Sequence, residues 1–287
     1  MFSNYEGQVN IINCSFINNT ATRGAGIYAT NAYVDNCIFI NNTASYDVGG
    51  AIFGPNLNTN VIVANSYFEN NTAVNRGGAI FSNTATVINS TFKNNHVSHQ
   101  GEEATYGGAI GLTSIGGESK IINSTFENNT CFVSGGAVFS QGKISITGSN
   151  FTNNSAPNGG AVYGMTNLNV NNSIFKGNNA TLGGALYGEG TFVINNSTFI
   201  ENNATHGGAI NNGEVLQTGT TTITNSNFEN NTDDAFYIAA GTTATVSNSN
   251  FTNNDINNYG TLTLKNNNVV IPNAVIYNYA TITAAKF

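Results

Sequence analysis

The chain has 287 residues and a formal net charge of −7, and only 8% of its residues are charged, against about 25% in an ordinary soluble domain. Nearly a fifth of the chain is asparagine, a poor helix former, which excludes a mainly helical protein. The 18 Phe and 12 Tyr argue against a disordered polar chain, because such chains are poor in aromatic residues. The 8 Lys and Arg residues cannot build a basic face, so we expect no nucleic-acid partner.

The main feature of the sequence is an internal repeat in which phenylalanine is followed, three residues later, by asparagine. Repeats of this length are typical of solenoid proteins. The phenylalanines are Phe16, Phe39, Phe68, Phe92, Phe126, Phe151, Phe175, Phe199, Phe228 and Phe251. A second motif, Gly-Gly-Ala followed by Ile, Val or Leu, begins at Gly49, Gly77, Gly107, Gly135, Gly159, Gly183 and Gly207.

Alignment on the phenylalanine as position 0 shows where the chain bends. Position −5 is always apolar and position −2 is small. Because side chains alternate along a strand, this odd separation predicts a bend near position −3. Asparagine tolerates the left-handed conformation of such a corner, and it occupies −3 at Asn13, Asn36, Asn65, Asn89, Asn123, Asn172, Asn196, Asn225 and Asn248. We assign a second corner to the asparagine at +3 and the glycine pair.

Each repeat is therefore interpreted as one coil of three short strands. A single coil cannot bury its inner face, so coils must stack, with equivalent residues about 4.8 Å apart. The sequence predicts an all-β fold, a right-handed parallel β-helix of about eleven three-strand coils. In the last, degenerate coil Val269 is expected at the phenylalanine position.

The two motifs together resemble the repeat of the chlamydial polymorphic outer membrane proteins, which also fills adhesin-like proteins of methanogenic archaea. The resemblance extends from Phe16 to about Asn254. It implies a non-enzymatic passenger or stalk at the cell surface or outside the cell, attached to glycans or surface proteins of a host or neighbouring cell. We interpret residues 1–287 as one domain, a segment of a longer surface protein without membrane insertion of its own. Open coils at its ends predict end-to-end self-association.

An enzyme is the alternative, because right-handed β-helices also include pectate-lyase-like polysaccharide lyases and hydrolases. Those enzymes resemble one another in clustering Asp with Arg or Lys for acid–base or calcium chemistry. In this chain only Asp233, Asp234 and Asp255 fall near one corner of neighbouring coils. We expect a solvated acidic corner there, no catalytic residue and no cofactor.

The longest insertion, residues 93–106, contains a His-x-x-His pair, His96 and His99, followed by Glu102 and Glu103. These residue types bind zinc. With no helix to fix the ligands, we expect an exposed polar loop.

Two further residue groups leave alternatives open. Cys14 and Cys37 occupy the same position in adjacent coils, which allows either a disulfide or two thiols in the serine column. Tyrosines at loop edges are candidates for stacking on sugars, namely Tyr28, Tyr46, Tyr163 and Tyr187.

Overall fold

The computed structural model describes residues 2–55, 59–98, 105–265, 269–270 and 273–284. Within these residues the chain forms 37 strands and no helix, so no helix there is long and apolar enough to cross a bilayer. Neighbouring coils pair in parallel throughout the stack. The predicted parallel β-helix of about eleven coils is confirmed.

Each coil has three faces, which we number in the order that follows the glycine pair. Strands Phe2–Ile12 and Ile27–Asp35 each span the first and second faces. The other first-face strands are Ile52–Phe53, Ile80–Ser82, Ile110–Leu112, Val138–Ser140, Val162–Gly164, Leu186–Gly188, Ile210–Asn212, Asp234–Ile238, Asp255–Asn258 and Ile276–Asn278. The other second-face strands are Asn60–Ala64, Thr84–Ile88, Glu118–Ile122, Lys143–Thr147, Asn167–Asn171, Thr191–Asn195, Thr220–Thr224, Thr243–Ser247, Thr261–Lys265 and Thr281–Ala284.

The third face carries the repeat phenylalanines. Its strands are Ser15–Ile17, Ile38–Ile40, Tyr67–Glu69, Thr91–Lys93, Thr125–Glu127, Asn150–Thr152, Ile174–Lys176, Thr198–Ile200, Asn227–Glu229, Asn250–Thr252 and Val269–Val270. A short sheet lies at the corner that follows this face, formed by Thr20–Ala21, Thr43–Ala44, Thr72–Ala73 and His96–Val97. Phe251 pairs with Val270, so the expectation that Val269 takes the phenylalanine position is wrong by one residue.

The core is a set of columns that run along the helix axis. The ten phenylalanine rings stack in one column, with successive centroids 4.5 to 5.0 Å apart and nearly coplanar rings. Nine of the ten are buried, and they pack against Ile, Val and Leu of the first and second faces. Aromatic stacking adds to the burial of each ring, so the phenylalanine column is the main apolar element of the fold.

The first corner lies at position −3. All nine asparagines there, and Gly148 in the tenth copy, have positive φ. The second left-handed corner is at position +2 and not at +3 as the sequence predicted. It is Asn in eight copies, Gly177 in one and Glu201, with φ of 54°, in another. Some side chains at +2 form exposed hydrogen bonds with each other, as Asn41 Nδ2 does with Asn18 Oδ1 (3.0 Å). The position is defined by its left-handed backbone, which is why glycine or glutamate can replace asparagine.

The asparagines at +3 instead form a buried ladder inside the stack. The Asn71 carboxamide shows the pattern. Its Nδ2 donates to Phe39 O (3.0 Å) and to Asn95 Oδ1 (2.9 Å). Its Oδ1 accepts from the backbone N (3.1 Å) and Nδ2 (2.9 Å) of Asn42. The ladder therefore satisfies buried backbone groups that the turn leaves without strand partners.

A parallel column of hydroxyl groups occupies position −2. Ser66 Oγ donates to Ala64 O (2.6 Å) and accepts from the backbone N of Cys37 (3.0 Å). Cys37 Sγ makes the equivalent contacts, with Asp35 O (3.2 Å) and Cys14 N (3.3 Å). Both cysteines are free thiols, and burial raises the pKa of Cys37, so the thiols replace serine in this column.

Candidate functional site

The repeated residues point inward and form the core columns. The coils therefore differ from one another mainly in the residues of their outer surface. One outward column on the first face is mostly aromatic, and we call it the aromatic strip. Neighbouring rings touch along much of it, as in Phe139–Tyr163 (5.3 Å between centroids) and Tyr163–Tyr187 (5.1 Å). The strip consists of Tyr28, Phe53, Phe81, Gly111, Phe139, Tyr163, Tyr187, Asn211, Tyr237, Asn257 and Tyr277.

A second column, formed by the residue before each glycine pair, covers parts of the strip. The Arg76 guanidinium lies 5.9 Å from the Phe81 centroid, a cation–π distance. Tyr106 stacks on Phe139 of the following coil at 4.2 Å. His206 stacks in the same way on Tyr237 at 4.8 Å. Arg76 therefore covers the ring of its own coil, whereas Tyr106 and His206 each cover the ring of the next coil.

This cover is missing over Tyr163. The preceding residue in the covering column is Ser134, which pairs with Tyr106 on one side and Asn158 on the other. Its small side chain opens a cleft of about 260 Å³, bounded by Tyr163, Tyr187 and a loop from the next coils. Tyr163 is half-buried, and burial raises its pKa to about 12. The ring therefore remains a neutral phenol at the base of the cleft.

The far wall of the cleft is the loop 213–219, which joins the first and second faces. Glu189 holds this loop, because its carboxylate accepts from the Val215 N (3.2 Å) and Leu216 N (3.0 Å). The Tyr187 hydroxyl also donates to Glu189 (2.8 Å). Burial and this carboxylate raise the pKa of Tyr187. The loop is fixed against the strip while the Val215 and Leu216 side chains stay exposed.

A second carboxylate ties the same loop to the covering column. Glu214 Oε1 lies 2.8 Å from His206 Nδ1, and its Oε2 accepts from the Asn211 carboxamide.

The four tyrosines that the sequence proposed for sugar stacking do not all lie on one surface. Tyr28, Tyr163 and Tyr187 belong to the strip, whereas Tyr46 is 73% exposed away from it.

A different concavity, of about 400 Å³, lies at the corner after the third face and contains His96 and Phe132. His96 Nδ1 is 2.6 Å from Thr130 Oγ1, and burial lowers the pKa of His96. His99, Glu102 and Glu103 lie outside the described residues. Within the described ranges no three His, Cys, Asp or Glu side chains gather into a group that could hold a metal ion.

The three acidic residues of the predicted corner have separate roles. Asp233, in the left-handed conformation, and Asp234 replace the glycine pair of their coil. Asp234 is buried and accepts from Gly207 N, while Asp255, its register partner, accepts from Val275 N at 2.7 Å. The carboxylates of Asp234 and Asp255 are used in turns of different coils, so the predicted solvated acidic corner does not describe Asp234.

Asp234 predicts a measurable pH dependence. Burial raises its pKa to about 6, above the ordinary value of about 3.9. The folded chain then holds a proton that the unfolded chain has lost, so stability present below about pH 4 is lost as pH rises through about 6. We expect wild type to lose about 3 kcal/mol relative to Asp234→Asn over this range. Urea denaturation of both proteins at several pH values measures it, and a pH-independent difference would contradict it.

Comparison with known families agrees with this architecture. A family described as the right handed beta helix region matches residues 108–278, more than half of the chain. The chain belongs to the right-handed β-helix family. Copies of the Chlamydia polymorphic membrane protein repeat match residues 13–30, 36–55 and 65–83 of this β-helix, which confirms the predicted resemblance. No curated protein and no solved structure matches the chain.

Proposed function

We propose that this β-helix is a non-enzymatic, adhesin-like segment displayed at the cell surface, which attaches to glycans or surface proteins of a host or neighbouring cell. The observation that carries the proposal is the aromatic strip with its open cleft on the outside of a stack whose interior is fully used by repeated columns. The half-buried Tyr163 is a favourable contact group, because its apolar ring ends in a polar hydroxyl. The polymorphic membrane protein repeats support a location at the surface.

The carboxylates beside the strip support attachment over catalysis. A polysaccharide lyase or hydrolase needs an acid–base group able to reach its substrate. Glu189 instead accepts three hydrogen bonds that hold the loop 213–219, and Glu214 bridges His206 and Asn211. Both carboxylates are engaged in positioning the wall of the cleft.

The test couples attachment to a search for cleavage. Beads carrying the purified chain are offered fixed bacterial and epithelial cells and a panel of immobilised polysaccharides, and reducing ends released into solution are measured in parallel. We expect retention of the beads without new reducing ends. Cleavage of any bound polysaccharide would overturn the proposal in favour of an enzyme. Beads that no surface retains would overturn it in favour of a passive stalk.

A further inference from the structure

We propose that the cleft over Tyr163 is a binding site for one ring of an uncharged pyranose saccharide. This inference rests on the proposed attachment function and assigns it to one place on the strip. Along the strip, Phe139 and Tyr237 are covered by a ring from the preceding coil. Over Tyr163 that ring is replaced by the Ser134 side chain. The cleft therefore occupies a position that an aromatic group fills elsewhere on the strip.

The base of the cleft suits a sugar ring. A pyranose presents a face of C–H groups, which packs on an aromatic ring, and a rim of hydroxyls that need hydrogen-bond partners. Tyr163 supplies the ring. Its hydroxyl, the Ser134 hydroxyl and Asn158 Oδ1 make no hydrogen bond to other residues in the part of the chain that the structure describes, whereas Asn158 Nδ2 donates to Val133 O (3.3 Å). Ser134, Asn158 and Tyr163 all line the cleft, so these polar atoms are available to a ligand bound there.

The wall of the cleft departs from the repeat. The three preceding coils pass from the first face to the second through two residues, as at Met165 and Thr166 between Val162–Gly164 and Asn167–Asn171. The loop 213–219 uses seven residues for the same turn and is hydrogen-bonded to Glu189 of the preceding coil. It places Val215 and Leu216, 68% and 63% exposed, beside the cleft. An insertion fixed in this position supplies an apolar wall for the ligand.

Charge selects the class of saccharide. Glu189 lines the cleft, Glu214 lies in the same loop, and the chain carries a net charge of −7. A uronate or sialate carboxylate placed there would be repelled, since like charges in a partly desolvated site interact unfavourably. Neutral hexoses and N-acetylhexosamines avoid this repulsion and can donate hydroxyl hydrogens to Asn158 Oδ1, which lines the cleft.

The experiment compares uncharged and acidic oligosaccharides of similar length by saturation-transfer NMR and titration calorimetry on the full chain. Galactose, mannose and N-acetylglucosamine oligomers are set against oligogalacturonate and hyaluronate fragments. We expect binding of at least one uncharged series, weakened about 10-fold or more in Tyr163→Ala, a loss of about 1.4 kcal/mol. Ser134→Tyr copies the residue of the preceding coil, fills the cleft, and should abolish binding.

Two controls separate binding from folding. Tyr46→Ala removes an exposed tyrosine outside the strip and should bind as wild type does, and thermal midpoints of all variants establish that they fold. Unchanged binding in both cleft variants, a preference for acidic oligomers, or no binding of any uncharged series would overturn the site. Beads that still adhere to cells without binding uncharged oligomers would overturn the cleft alone and leave the attachment function standing.

Discussion

Replacing Asn129 by leucine is expected to lower the free energy of unfolding by about 4 kcal/mol, although the two side chains have the same branching and the same number of heavy atoms. Asn129 Nδ2 donates to Phe92 O and to Asn154 Oδ1, both at 2.9 Å. Its Oδ1 accepts from the backbone N and Nδ2 of Asn95, both at 3.0 Å. Leucine would leave the buried Asn95 N without its acceptor, which costs about 1–3 kcal/mol. Phe92 O, Asn154 Oδ1 and Asn95 Nδ2 would each lose one hydrogen bond, worth about 1 kcal/mol apiece. The latter two keep Asn129 N and Phe68 O as partners.

The neighbouring residue provides a matched control. Asn128 stands at the left-handed corner with φ of 53°, so Asn128→Gly keeps the backbone conformation that the position requires. We expect its free energy of unfolding to stay within about 1 kcal/mol of wild type. Both variants are compared by urea denaturation followed by far-ultraviolet circular dichroism. Similar losses in the two variants would show that the buried ladder has no special role.

The two asparagines at +2 and +3 also show what could be predicted from sequence. They are the same residue type in most coils, and either can occupy a corner, so composition alone does not separate them. The informative signal is the exception. Gly177 and Glu201 replace asparagine at +2, whereas +3 remains asparagine in all ten copies. Where glycine can replace asparagine, the position requires only a left-handed backbone. Where asparagine is kept in every copy, the position requires the carboxamide and its hydrogen bonds.

The core followed from the period of the sequence, because stacked coils place each residue on its own equivalent. The phenylalanine of every repeat therefore had to stack on the next, and the register agrees, as in Phe126 opposite Phe151. The glycine pair likewise marked the start of the first-face strands. These features depend on contacts between identical positions, which an alignment of the repeats shows directly.

The cleft could not be predicted in the same way, because it depends on contacts between different positions. A residue of the covering column lies over the strip residue of the following coil, as Tyr106 does over Phe139. The opening at Tyr163 therefore results from Ser134 in the coil before it. The wall of the cleft is a loop of the coil that follows Glu189, and backbone N–H groups of this loop donate to the Glu189 carboxylate. Neither diagonal contact is visible in a repeat alignment.

The second large effect is expected at the second glycine of a pair. In Gly108→Ala the new β-carbon would lie 2.0 Å from Gly136 O and 2.5 Å from Thr130 O, both backbone atoms of the next coil. The two coils would have to separate, which would break hydrogen bonds such as Ala109 N to Ala137 O (2.9 Å). We expect a loss of about 4 kcal/mol or more in the free energy of unfolding.

Gly116→Ala is the control, because a β-carbon at Gly116 would meet no atom within 4 Å. Its methyl restricts the unfolded chain, so the variant should be unchanged or more stable by about 0.4–1 kcal/mol. Thermal and urea denaturation should therefore show a loss of stability in Gly108→Ala alone, and a similar loss in both variants would contradict the steric argument.

The coil with Asp233 and Asp234 shows that the following coil decides whether the second position of the pair must be glycine. Asp234 stands where other coils carry the second glycine, yet it has a side chain. At this point the register shifts, with Asp234 opposite Asp255 and Phe236 opposite Ile256, so that Ala235 has no register partner in the following coil. A β-carbon is accommodated where the next coil is one residue shorter. The glycine at 108 is required because its neighbour keeps full register through Ala137 and Val138.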